Sequence, residues 1–467
     1  MPPISRRQFL GSSALAASML SGLVQAKPQQ ARPNILFIMA DDLGWADLGC
    51  YGMRDFATPV LDQLASDGVR LTHAYANSPV CSASRTAIIT GRYQYRLRVG
   101  LEEPIPDAKS RHGLSPAHPT LPSLLGKSGY RTALPGKWHL GAAPEFGPLK
   151  SGYQYFFGNM QGGIDYFTHK AGVGANEPVD LWEGEQLVHE HGYYTDILSQ
   201  RAEQYVRAHA REAAPFLLSL HYTAPHWPWE GPMDEAVAGT LKKLIHADGG
   251  SLETYGKMVA AMDSGIGKVL QALKETGQAD NTIVIFTSDN GGERFSHTWP
   301  LSGQKTELLE GGIRVPAIVR WPAALKPAVS DQICIGMDWL PTLLAAAGVA
   351  PDPDFPSDGV NLLPVLTQQE KAIPRTLYWR YKSFQQRAVI DNYLKYLKIG
   401  NNEFLFDLRQ DPRERANLAV LQAAQFQRLK QQWQQWDATM LPITKEVYSH
   451  RVPGQRQADH YAVGLDD

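Results

Sequence analysis

Cysteine is scarce in this 467-residue chain, which has three: Cys50, Cys81 and Cys334. An odd, small number excludes a disulfide framework. It leaves either one Cys50–Cys334 bridge or free thiols, and free thiols fit better, because unpaired cysteine commonly packs as a small core residue. Charge of one sign is scarce as well. Lys and Arg number 45 against 47 Asp and Glu, a net charge of −2, so no global basic field favours nucleic acid, although a local pocket can still bind an anion. Spanning apolar runs are also missing: the Ala/Ser-rich stretch 11–26 is too short and too polar for a stable transmembrane helix. There is no internal repeat and no long low-complexity tract. What remains, 43% hydrophobic and 20% charged residues, suits a soluble globular enzyme with one large α/β domain and a smaller one.

The first residues read as an address. Ser5-Arg6-Arg7-Gln8-Phe9-Leu10 precedes the run 11–26, and Val24-Gln25-Ala26 has the small-residue ending a signal peptidase accepts. This resembles a twin-arginine export signal. It implies that residues 1–26 stand apart from the fold, that a twin-arginine translocase is a partner, and that the mature protein is periplasmic or secreted in a bacterium with no stable membrane anchor.

Further on, Asn34 to Ala40 is a continuous apolar run ending at Asp41-Asp42, the pattern of a central strand buried on both faces. Thr58 and Pro59 mark the N-cap and first turn of a helix. Val69 to Tyr75, Pro215 to His221 and Thr282 to Thr287 read as further strands, with helical stretches such as Tyr255 to Thr276 between them. Alternation of this kind predicts an α/β fold, a large mixed, mostly parallel sheet sandwiched by helices. Past about Ile373 the texture changes to short strand-like runs, Leu377 to Arg380, Gln386 to Ile390, Leu394 to Ile399 and Glu403 to Leu408, then a polar helix from Leu421 to Trp436. That predicts a smaller C-terminal antiparallel α+β subdomain. The expected boundaries are 32–370 for the catalytic domain, 371–440 for the subdomain and 441–467 for a tail.

Ligands of open α/β sheets bind at the carboxyl ends of strands. Asp41-Asp42 ends the first strand and Asp289-Asn290 a late one, giving a hard-oxygen set suited to a divalent cation such as calcium, although such pairs also serve as turns and helix caps. Cys81 opens Cys81-Ser82-Ala83-Ser84-Arg85, with Thr90-Gly91-Arg92 after it. Cys-x-Pro/Ala-x-Arg followed by Thr-Gly-Arg resembles the signature of the formylglycine-dependent sulfatases, in the alkaline-phosphatase-like superfamily. Most members have Pro where this chain has Ala83. Five further blocks resemble that family in order: Pro33 to Asp42, Gly136-Lys137-Trp138-His139, Ala224-Pro225-His226-Trp227-Pro228, Thr287 to Gly291, and Gly303-Gln304-Lys305 with Glu310 to Pro316. Phe406-Asp407-Leu408 with Asp411-Pro412 and Asn417-Leu418 is similar to its C-terminal signature.

The resemblance implies hydrolysis of sulfate monoesters. A maturation enzyme would convert Cys81 to formylglycine, whose hydrate offers one hydroxyl to take the sulfate and a second to expel it. One Ca2+ would be held by Asp41, Asp42, residue 81, Asp289 and Asn290. Arg85 would order the nucleophile and the carboxylates, Lys137 and Lys305 would clamp sulfate oxygens, His139 would act as base and His226 as acid. Aromatic residues in Phe157 to Tyr194, with Trp227 and Trp229 beside His226, suit stacking on a sulfated carbohydrate or packing in the core. A phosphonate monoester hydrolase or phosphodiesterase of the same superfamily, or a non-catalytic glycan-binding relative, are the competing expectations.

Overall fold

The computed structural model describes residues 32–106 and 112–450. The export motif and the end of the tail, 451–467, lie outside the described residues. The strands are β1 (Asn34–Ala40), β2 (Val69–Tyr75), β3 (Arg131–Pro135), β4 (Tyr155–Gly158), β5 (Trp182–Glu183), β6 (Gln186–Leu187), β7 (Phe216–His221), β8 (Thr282–Ser288), β9 (Arg314–Arg320), β10 (Ala328–Ser330) and β11 (Cys334–Ile335). They form one 11-stranded sheet in the order β10-β2-β9-β8-β1-β7-β3-β4-β5-β6, with β11 also on β2. The centre is parallel: β1 lies between β7 and β8, and β3 between β7 and β4. β9 runs antiparallel to both β8 and β2, so β2 points the same way as the parallel core.

The strand alternation explains the apolar run of β1. Leu36, Ile38 and Ala40 join one core with Leu218, Leu220, Val284 and Phe286, while Ile35, Phe37 and Met39 join the other with Leu217, Ile283 and Ile285. Helices cover both faces. The first core is capped by α1 (Pro59–Ser66), by Tyr194–Ala208 and by the long helix Leu252–Glu275. The second is capped by α2 (Cys81–Thr90), α3 (Leu121–Lys127) and Trp339–Ala346. No described helix is long and apolar enough to cross a membrane.

β12 (Thr376–Tyr381), β13 (Gln386–Asp391), β14 (Leu394–Ile399) and β15 (Asn402–Asp407) make a second, antiparallel sheet in sequence order. One face, with Trp379, Ala388 and Ile390, packs on Ala83 and Ala87 of α2. The other, with Val389, Tyr396 and Leu405, packs on Leu429 and Trp433 of the helix Ala423–Asp437. α2 is therefore held between two sheets, and all ten of its residues are buried.

Thr58 is the N-cap of α1 with Pro59 in its first turn, as expected, but its side chain makes no cap hydrogen bond; its hydroxyl accepts from Gly49 N and donates to Asp62. The long helix starts earlier than expected, because the Ser251 hydroxyl accepts from Thr254 N. All three cysteines are free, Cys50 half-buried and the other two buried, so the Cys50–Cys334 bridge does not form.

Candidate active site

The carboxyl ends of four neighbouring strands, β8, β1, β7 and β3, converge on one point. Asp41 and Asp42 follow β1. Successive strand residues normally face opposite ways, but Asp42 adopts φ 63°, which breaks the alternation and brings both carboxylates to the same cluster. Asp289 and Asn290 follow β8. Lys137 and His139 follow β3, across a turn at Gly136 that only glycine fits: φ is 123° and a Cβ would lie 1.9 Å from the His221 carbonyl oxygen. His226 follows β7. Cys81 is the first residue of α2, which begins beyond the carboxyl end of β2.

The distances are short. Cys81 Sγ is 3.2 Å from Asp41 Oδ1 and 3.9 Å from Asp42 Oδ1. Ligand atoms of Asp41, Asp42, Cys81 and Asp289 all lie within 4.8 Å of one another, and all four residues are buried. Arg85, one turn along α2, donates from Nε to Asp289 (2.9 Å) and from Nη1 to the Lys137 carbonyl (3.1 Å). Lys137 Nζ is 2.5 Å from Asp41 Oδ2, and Lys305 Nζ is 2.5 Å from Asp42 Oδ2. Asn290 donates from Nδ2 to Asp42 (2.7 Å), while its Oδ1 is buried with no partner.

That orphaned oxygen, beside three carboxylates within reach of one point, fits a hard divalent cation. Electrostatics agree. Asp41, Asp42 and Asp289 oppose Arg85, Lys137 and Lys305, so the protein groups alone nearly cancel, and a divalent ion would leave a positive site for an anionic ester. Burial, then Asp41, push the Asp289 carboxyl up to about 7 against the pull of Arg85. Burial also raises Asp42, but Lys305, His226 and Lys137 outweigh it and hold this group below the carboxylate range. Burial, then Asp41, keep the Cys81 thiol well above its ordinary value, so as a plain thiol it stays protonated.

The two histidines are pre-oriented. His226 Nδ1 lies 2.7 Å from the Trp227 carbonyl and must donate to it, which leaves Nε2 facing Asp42 at 3.6 Å. His139 Nε2 lies 3.0 Å from the Ile105 carbonyl, so its Nδ1, buried and unpartnered, carries the free lone pair. Burial first, then Lys137 for His139 and Lys305 for His226, lower both well below the usual histidine range. A cleft of about 300 Å³ opens over Cys81, His139, His226 and Lys305. Lys137 is fully buried behind Asp41.

This geometry brings together Asp41, Asp42, Cys81, Arg85, Lys137, His139, His226, Asp289, Asn290 and Lys305. The aromatic expectation divides. Trp227 lines the cleft, but Trp229 is only 1% exposed and packs on Tyr255 and Phe295, so it cannot stack on a ligand. Phe157, Tyr166, Tyr193 and Tyr194 are core as well. Three cleft residues had no pattern to reveal them: Gln161, Tyr448 and His450.

Residues 33–349 match the family model described as Sulfatase. The chain belongs to the sulfatase family. It is a sulfuric ester hydrolase, and its residues 303–439 also match the model for the C-terminal region of N-sulphoglucosamine sulphohydrolase. Human N-acetylgalactosamine-6-sulfatase is 35% identical over 74% of this sulfatase and 68% of its own length. Human arylsulfatase A is 32% identical over 79% and 74%. Among solved structures, Ps i-CgsB in complex with k-i-k-neocarrahexaose superposes with a TM-score of 0.80 at 31% identity, covering 90% of this chain and 95% of that one. The phosphonate monoester hydrolase of Agrobacterium radiobacter, 22% identical with a TM-score of 0.62, shares the fold.

Proposed function

We propose that this sulfatase removes sulfate from a sulfated carbohydrate, using formylglycine made from Cys81 and one calcium ion held by Asp41, Asp42, residue 81, Asp289 and Asn290. The observation that carries the reading is the position of Cys81: it heads a wholly buried helix, 3.2 Å from Asp41, at the floor of the cleft. Calcium, when bound, polarises sulfate oxygens and favours an ionised nucleophile. Formylglycine hydrate supplies two hydroxyls on one carbon, one for each half of the reaction.

The chain's own residues do the rest. Lys305 meets the sulfate at the cleft floor, and Lys137 adds positive charge from behind Asp41. His226, locked by its Nδ1–H on Trp227, turns Nε2 into the site, and a proton taken up there, beside Asp42, would pass on to the leaving alkoxide. His139, locked by its Nε2–H on Ile105, holds Nδ1 free to take one. Trp227 offers a ring face to the sugar. The carbohydrate assignment is supported by the hexasaccharide bound to Ps i-CgsB and by the name of the N-acetylgalactosamine-6-sulfatase relative. Export through the twin-arginine pathway to the periplasm or beyond belongs to the same proposal, and rests on residues 5–10 and 24–26.

The test is a pair of measurements on one preparation. Peptide mass spectrometry should find aldehyde in place of thiol at position 81, and a panel of defined sulfated oligosaccharides should release inorganic sulfate. Fully active protein carrying only cysteine at position 81 would refute the mechanism.

A further inference from the structure

Lys305 sits on an irregular loop, residues 302–309, with no helix or strand of its own. Something must hold it. Lys305 N donates to the Gly292 carbonyl (2.9 Å), and Thr306 N to the Pro79 carbonyl (3.0 Å). Thr306 adopts φ 75°, a costly conformation for a β-branched residue that persists only where neighbours enforce it. Two backbone groups beside Lys305, Thr306 O and Leu308 N, go to one side chain from the small sheet. Gln386, the first residue of β13, is 2% exposed. Its Oε1 accepts from Leu308 N (2.8 Å) and its Nε2 donates to the Thr306 carbonyl (2.8 Å). Nε2 also lies 3.3 Å from the Ser383 carbonyl. The same sheet grips the far end of the loop: Lys395 of β14 pairs with Glu310 (2.9 Å) and Glu414 (2.8 Å), and Glu414 accepts from Glu310 N (2.7 Å).

We infer that Gln386 is a positioning residue for Lys305, so that the small C-terminal sheet sets the geometry of the sulfate site without touching the substrate. A carboxamide offers an acceptor and a donor that do not titrate, at the right separation to satisfy Leu308 N and Thr306 O together. Removing it leaves two buried backbone groups unpaired and releases the strain at Thr306, which is one residue from Lys305. The inference rests on the role of Lys305 proposed above.

A double-mutant cycle separates the two. Parent, Gln386→Ala, Lys305→Ala and the double variant are compared, each assayed below its melting transition, for kcat/KM on a sulfate ester and for the inhibition constant of inorganic sulfate. Gln386→Ala should lower kcat/KM by about tenfold and weaken sulfate inhibition. On the Lys305→Ala background the same change should cost less than about twofold, because the residue it positions is gone. Gln386→Glu keeps the acceptor for Leu308 N and, once ionised, loses the donor for Thr306 O, so its loss should grow as pH rises through its titration, and it completes the same cycle where the alanine variant fails to fold. Losses that multiply in the double variant would overturn the positioning role alone. A Lys305→Ala enzyme as active as the parent would overturn the reading of Lys305 and this inference with it.

Discussion

Glu103 is a buried carboxyl with its hydrogen bonds crowded onto one oxygen. Oε2 accepts from Lys382 N (2.8 Å) and Ser449 Oγ (3.0 Å). Burial, which outweighs those bonds and the nearby charges of Arg380 and Lys382, pushes the group up to about 7. The sign follows from linkage. The folded value lies above the unfolded one, so the native state binds the proton more tightly. Its stabilisation is complete below about pH 4.5 and disappears as pH rises through about 7. Over that window the contribution is on the order of 3 kcal/mol. Glu103→Gln, which keeps the shape without the titration, should flatten the melting temperature between about pH 4.5 and 7 relative to the parent. A parallel pH profile in the variant would contradict this. At position 81 the expected outcome is simpler. Cys81→Ala should abolish turnover while far-ultraviolet circular dichroism and the melting temperature stay near the parent's, since the helix it begins is fixed by packing along its whole length.

Helix α2 is the element on which the site depends, and its sequence is unusual for a core helix. Its buried hydroxyls are all paired: Thr86 and Thr90 donate to carbonyls four residues back, Ser82 accepts from Ile105 N, and Ser84 bonds the Ser78 backbone. Small side chains let two sheets close on it from opposite sides. Ala87 is 0% exposed against the C-terminal sheet, so Ala87→Leu should destabilise by about 1–3 kcal/mol through overpacking. Urea denaturation measures it, and an unchanged midpoint would count against the sandwiched arrangement. The turn after β3 is equally intolerant. Gly136→Ala places its Cβ on the His221 carbonyl and should cost both stability and turnover, because Lys137 and His139 follow directly.

Legibility in the sequence differed between elements for physical reasons. β1, β7 and β8 are buried on both faces, so their apolar runs stood out, and the polar pairs at their ends marked the site. The strands of the small sheet alternate, and they too were readable. Thr58 was legible as the N-cap of α1, but not the partners of its hydroxyl, which bonds Gly49 N and Asp62, because a hydroxyl has several partners within reach and local sequence does not say which one wins. Trp229 and Gln386 were opaque for a deeper reason. Whether an indole faces a cleft or a core, and whether an amide spans a loop 80 residues away, depends on contacts that no local pattern encodes.

At the scale of the whole molecule, the proposed calcium site makes charge balance the expected selector of esters. Calcium added to chelator-treated protein should raise its melting temperature by mass action, and Asp289→Ala should abolish that shift together with activity. An unchanged melting curve on adding calcium would refute the site. With one divalent ion, the proposed cluster suits a monoanionic sulfate ester better than a nearly dianionic phosphate monoester. kcat/KM should be higher for an aryl sulfate than for a matched aryl phosphate or phenylphosphonate ester, and a clear win for the phosphonate would reassign the enzyme.

The burial of α2 also sets a clock. Cys81 is 2% exposed, walled in by the residue that follows β1 and by a lysine at position 305. Any enzyme that oxidises this cysteine must reach it before those walls assemble. At about 5–20 residues per second, a ribosome needs roughly 10–45 s to travel from codon 81 to codon 305. The proposed modification would therefore race the fold, and slowing synthesis or delaying the late strands should raise the fraction of chains that carry the aldehyde.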